Sequence, residues 1–186
     1  MGDSPIRTVA VIGAGTMGAG IAQVCSQIGW EVRLHDALPR GVEAGILRIE
    51  EFWSKGIQKG KTDPKMVEKW RMNIIPSTLE QAVSGSDLII EAVPERMDLK
   101  SDLFKSLDRL AHEHAILATN TSSLSVEEIS RSTRKPERVV GMHFFNPVPL
   151  MPLVEIIRHE GTSERTVDVA KYAACLLYTS DAADED

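Results

Sequence analysis

The chain has 186 residues, enough for one domain with a full core. Its formal net charge of −6 argues against non-specific nucleic-acid binding, and no apolar run approaches the length of a membrane span. Two cysteines, Cys25 and Cys175, make no disulfide framework, and residues 1–5 are polar with no signal-peptide pattern, so a reducing, cytoplasmic setting is expected.

Residues 8–12 (TVAVI) form a short, β-branched apolar run that ends at glycine, the pattern of a buried parallel strand. A helical period follows, with Met17, Ile21, Val24, Cys25 and Ile28 on one face and Gly29 as its stop. A second strand is expected over 31–35, closing at Asp36. Residues 39–55 again carry a helical stripe, Val42, Ile46, Ile49 and Trp53. A lysine-rich turn over 56–61 leads to another helix over 64–70. Strands are then expected at 73–75, 88–91, 115–118, 139–142 and 153–157, with helices at 97–110, 126–130 and 164–174. Strands alternating with helices indicate βαβ units and a mainly parallel, doubly wound sheet of Rossmann type.

The first strand and helix are joined by Gly13-Ala14-Gly15-Thr16-Met17-Gly18, a G-x-G-x-x-G string in its proper context. Gly13 permits the tight turn, Gly15 lets a diphosphate approach the backbone, and Gly18 lets helix and strand pack closely. The free N–H groups at the helix start, around Thr16 and Met17, suit phosphate oxygens. Asp36 stands 18 residues after Gly18, where a carboxylate accepts from the ribose hydroxyls and repels a 2′-phosphate. The expected cofactor is therefore NAD, with Arg40 as a mild counter-signal toward NADP.

Alcohol oxidation needs a base, and histidine suits neutral pH. Of the five histidines, His35 is expected to pack, and His112 and His114 to be solvated or to cap a helix. Their spacing hints at metal, but no further ligand completes a set, so none is expected. His159 lies in a polar stretch. His143 differs, because it ends an apolar strand where parallel sheets bind ligands. Glu155 lies in the next apolar run, where a carboxylate is costly unless paired. A His143–Glu155 pair would orient the ring and stabilise its protonated form. The alternative is a hydrogen-bonded core histidine and a solvent-facing acid, and spacing alone does not choose.

The glycine turn, Asn120-Thr121-Ser122-Ser123-Leu124, and His143-Phe144-Phe145-Asn146-Pro147 through Leu153-Val154-Glu155 resemble the 3-hydroxyacyl-CoA dehydrogenase family, continuously from about Val9 to Tyr172. The resemblance implies NAD-dependent oxidation of L-3-hydroxyacyl-CoA to 3-ketoacyl-CoA, as in fatty-acid β-oxidation and short-chain acyl-CoA metabolism. It implies His143 as base, Glu155 as its partner, and Ser122 beside nicotinamide and substrate, holding the 3-oxygen. It implies Asn120, Asn146, Glu95 and Lys100 as further cofactor contacts, a protruding helical hairpin formed by the two helices of 39–70, and Lys59 in that hairpin as a coenzyme-A contact with Lys55 and Lys61 nearby. Phe52 stands where the family usually has a serine that touches CoA. Two other readings are a dehydrogenase of a free hydroxy acid, as in lambda-crystallin and gulonate dehydrogenase, and a non-catalytic NAD-binding module. The 144–147 sequence and Lys59 favour the CoA ester.

The family carries a second, all-helical domain that supplies the homodimer interface and closes over the acyl chain. That domain is expected to be absent here, leaving 1–174 as the NAD-binding domain and a fragment expected to be inactive alone. Residues 175–186 resemble the translated read-through of a sequencing adapter and are expected to be a non-native tail.

Overall fold

A computed structural model describes residues 5–179. Its elements are β1 (Thr8–Ile12), α1 (Thr16–Gln27), β2 (Glu31–His35), α2 (Gly41–Gln58), α3 (Pro64–Met72), β3 (Ile74–Pro76) and α4 (Leu79–Ser84). There follow β4 (Leu88–Glu91), α5 (Met97–Leu110), β5 (Ile116–Thr119), α6 (Val126–Ser130), β6 (Val139–Phe144), β7 (Val154–Ile157) and α7 (Glu164–Thr179).

The strands form one seven-stranded sheet in the order β3-β2-β1-β4-β5-β6-β7. All pairs are parallel except β6 with β7. The chain winds outward from β1 to β3, returns to place β4 beside β1, and winds the other way. The reversal leaves a crevice at the C-terminal ends of β1 and β4.

Both faces of the sheet are covered, which is why its strands read as near-continuous apolar runs. Alternation still sorts the side chains. Val9 and Val11 face a core that includes Ile21, Cys25, Trp53 and Ala173, from α1, α2 and α7. Ala10 and Ile12 face the opposite core with Val83, Phe104 and Ile129, from α4, α5 and α6.

The α2–α3 hairpin closes on Trp53 and Trp70, whose ring centroids lie 5.9 Å apart, and on a two-pronged ion pair in which Arg71 Nη2 stands 2.7 Å from Glu50. The expected turn at 56–61 starts later, because α2 continues through Gly56 to Gln58. Asp63 caps α3 by accepting from Lys65 N at 2.9 Å, with Pro64 at the first helical position. α4 has no counterpart among the expected elements.

α7 runs five residues past the expected boundary at 174. Leu177 is 3 % exposed and Tyr178 packs against the same core, so 175–179 are joined to the fold. The rest of the expected tail, 180–186, lies outside the described residues. Among the described residues no helix is long and apolar enough to cross a membrane.

Candidate functional site

The turn after β1 is fixed by steric necessity. Gly13 has φ +101°, and a Cβ on Gly18 would stand 1.6 Å from the Gly13 carbonyl oxygen. Above Gly15 there is open space, and as N-cap of α1 it offers no side chain to the helix. The first amides of α1 therefore face a backbone cradle open to an anion. Asp36 is tied to this turn. Its Oδ2 accepts from Ala14 N at 2.7 Å and its Oδ1 from Leu38 N at 2.8 Å. A carboxylate has about four acceptor positions, so two remain for ribose hydroxyls. Arg40 points elsewhere, with its side chain 86 % exposed and Nε 3.2 Å from Glu43. These residues fit a dinucleotide whose ribose carries free hydroxyls.

Beside the turn, at the ends of β4, β5 and β6, lies a cleft of about 360 Å³. Its walls include Met17, Glu95, Asn120, Ser122, His143 and Asn146. His143 and Glu155 are direct cross-strand partners in the antiparallel β6–β7 ladder, and His143 Nδ1 lies 2.9 Å from Glu155 Oε2. With Nδ1 engaged, Nε2 is the ring nitrogen left for chemistry. The Phe145 ring packs 4.6 Å from the imidazole, centroid to centroid. The pairing holds, for a reason other than burial: the Glu155 side chain is 54 % exposed, and register alone places it.

Behind the cleft runs a chain of charges. Lys100 is fully buried, its ammonium 2.9 Å from Glu91 and 3.0 Å from Glu95. Glu91, also fully buried at the end of β4, accepts further from Thr119 Oγ1 and Val93 N, each at 2.8 Å. Burial pushes the Glu91 carboxyl up, against the pull of Lys100. Glu95 faces the other way. Its Oε1 accepts from Thr121 Oγ1, from Ser122 N at 3.1 Å and from Ser123 N at 3.3 Å, so one carboxylate holds the whole serine loop. Partial burial pushes Glu95 up, but hydrogen bonds from Thr121 and Lys100 outweigh it and hold the carboxyl at about 2. Asn120 Oδ1 accepts from Phe144 N at 2.9 Å, which couples this loop to the strand that bears His143.

The sequence-expected residues thus divide by position. Gly13–Gly18, Asp36, Glu95, Asn120, Ser122, His143, Asn146 and, through His143, Glu155 surround one crevice. Lys100 sits behind Glu95 and reaches the crevice only through it. Lys59 caps the far end of α2, exposed, about 10 Å along the helix from Phe52. His35 is half-buried, with Nδ1 3.0 Å from Ser77 O. His159 is buried, its Nε2 donating to Pro136 O at 2.9 Å and its Nδ1 accepting from Gly161 N. Among the described residues no group of three or more His, Cys, Asp or Glu is placed to hold a metal. Sequence reasoning missed Glu91. Its signal was an acid closing the run Leu88-Ile89-Ile90, the same argument from costly burial that was spent on Glu155.

Residues 8–175 match the family described as "3-hydroxyacyl-CoA dehydrogenase, NAD binding domain". The chain is 46 % identical over 162 residues to a probable 3-hydroxybutyryl-CoA dehydrogenase of Bacillus subtilis, covering 87 % of this chain and 56 % of that one. It is 40 % identical over 171 residues to the mitochondrial hydroxyacyl-coenzyme A dehydrogenase of Sus scrofa, covering 88 % and 54 %. Among solved structures, (S)-3-hydroxybutyryl-CoA dehydrogenase from Ralstonia eutropha superposes with a TM-score of 0.90 at 38 % identity, over 93 % of this chain and 61 % of that one. The chain thus spans little more than half the length of these curated relatives. Glycine turn, tied Asp36 and sheet order agree with these likenesses, and the chain belongs to the 3-hydroxyacyl-CoA dehydrogenase family as its NAD-binding domain.

Proposed function

We propose that the chain is the NAD-binding part of an enzyme that oxidises L-3-hydroxyacyl-CoA to 3-ketoacyl-CoA, in fatty-acid β-oxidation or short-chain acyl-CoA metabolism. The observation that carries this reading is the His143–Glu155 pair, set at the edge of the crevice that also holds Ser122 and Asn146.

NAD, when bound, supplies the hydride acceptor. His143 Nε2 takes the hydroxyl proton as the carbonyl forms, and Glu155 on Nδ1 stabilises the imidazolium. Ser122 Oγ, on a loop pinned by Glu95, holds the 3-oxygen while its charge changes. Asn120 and Asn146 contribute to the nicotinamide side, and Lys59 meets an anionic group of coenzyme A. The domain runs to the end of α7, the adapter-like residues from 175 on are non-native in origin, and the active protein is a cytoplasmic homodimer joined through an additional helical domain.

The test is to join residues 1–174 to the C-terminal part of the Bacillus subtilis relative and to follow NADH oxidation with a 3-ketoacyl-CoA. Turnover is expected, and His143→Gln should lower it by roughly 10²- to 10⁴-fold with NADH binding retained. Unchanged turnover in that variant contradicts the base assignment. Preference for a free 3-keto acid over the CoA ester favours the hydroxy-acid reading instead.

A further inference from the structure

A second, smaller cleft lies between α1, α2 and the segment 146–149, with a volume of about 130 Å³. It meets the larger one at Asn146, which lines both. Three observations converge there.

First, α2 is pressed against the glycine turn. A Cβ on Gly45 would stand 2.8 Å from both the Cβ and the carbonyl oxygen of Ala14. Arg48, three residues on and hence on the same helix face, carries its guanidinium over the turn, where Nη1 makes a long hydrogen bond of 3.4 Å to Ala14 O. Second, no carboxylate pairs with Arg48 among the described residues. On α2, Glu43 pairs with Arg40 and Glu50 with Arg71, and none of the described ion pairs includes Arg48. The guanidinium thus stands outside any ion pair beside the uncapped, partially positive start of α1, a setting that favours an incoming anion. Third, Gln23 lies on the cleft-facing stripe of α1 with Thr16 and Gly20, only 2 % exposed, and its Nε2 has no hydrogen-bond partner. A buried amide donor left unmade is a cost that an acceptor in the cleft would relieve.

We propose that Arg48, with Gln23 in the same cleft, is a diphosphate-binding element: the exposed guanidinium grips a phosphoryl oxygen pair, and the buried Gln23 amide donates from within the cleft. The inference rests on the nucleotide-binding reading above. Two ligands of that reading carry a diphosphate, the dinucleotide and the CoA ester, and the same chemistry serves either.

The test is equilibrium binding of NADH, ADP-ribose and CoA to the 186-residue chain, unsubstituted and as Arg48→Ala and Arg48→Lys, at low and high salt. Arg48 is exposed, so its replacement should leave the melting temperature unchanged, and Arg48→Lys retains the charge should alanine disturb the fold. Arg48→Ala should weaken at least one diphosphate ligand by about tenfold or more and flatten its salt dependence, with partial recovery in Arg48→Lys. Loss with NADH and ADP-ribose assigns the element to the dinucleotide, and loss with CoA alone assigns it to the ester. Equal affinities of Arg48→Ala and the unsubstituted chain for all three ligands overturn the inference and leave the nucleotide-binding reading standing. Failure of the unsubstituted chain to bind any of them overturns both.

Discussion

Glu95 shows how much of a site can hang on one oxygen. Its Oε1 takes the Thr121 hydroxyl and the Ser122 and Ser123 amides, while its other oxygen meets the buried Lys100. Its carboxyl is held at about 2 against an ordinary 4.5, so its contribution to stability is complete above about 4.5 and is lost as pH falls toward 2. Glu95→Gln should therefore melt below the unsubstituted chain at every pH above 5, by a near-constant margin. The two melting curves should converge as pH drops to about 2, and a margin unchanged at pH 2 would count against the anchoring role. Glu91 acts in the opposite sense, since burial raises its carboxyl despite Lys100. At this scale the sequence was informative about identity and less so about cause. His143 and Glu155 are legible as a pair, but burial is not what pairs them: Glu155 is half-exposed and faces His143 through strand register. No spacing rule in one chain reveals register between strands joined by an irregular loop. Arg48 and Gln23 were silent for the same reason, because their meeting depends on how closely α2 approaches α1.

Among the elements, those with strong periodicity were legible to the residue, as for β2 and α5. α4 was missed although its start carries a capping box, in which Thr78 Oγ1 accepts from Gln81 N and Gln81 answers to Thr78 N. Six residues are too few to show a helical period, so the cap was the one usable signal. The end of α7 is the reverse case. An adapter-like composition marked 175 as a boundary, yet the helix continues and Leu177 reaches the core. Tyr178 packs against the same core, its hydroxyl pushed up to about 12 by burial and by Cys25 of α1. Apolar residues in helical register pack whatever their origin. Leu177→Ala should cost about 2–5 kcal/mol in the unfolding free energy, read from denaturant midpoints, and a change below 0.5 kcal/mol would show that 175–179 do not belong to the folded unit.

For the molecule as a whole, one topological event organises everything else. The winding of the chain reverses between β1 and β4, which stay parallel, and the glycine turn, the Glu95 loop, the serine loop and His143 all emerge at the C-terminal edge around that reversal. Strand–helix alternation and the glycine string made this legible in sequence, because a doubly wound sheet permits few other placements for a G-x-G-x-x-G turn. The chain spans little more than half of its curated relatives, so what it holds in full is the cofactor half of the chemistry. The central claim is therefore a claim about NAD, and Asp36 makes it specific. Titration of the 186-residue chain with NADH and with NADPH tests it most directly. The account predicts saturable NADH binding, with NADPH weaker by about tenfold or more because the Asp36 carboxylate repels a 2′-phosphate. No binding of NADH, or equal affinity for the two, would contradict it.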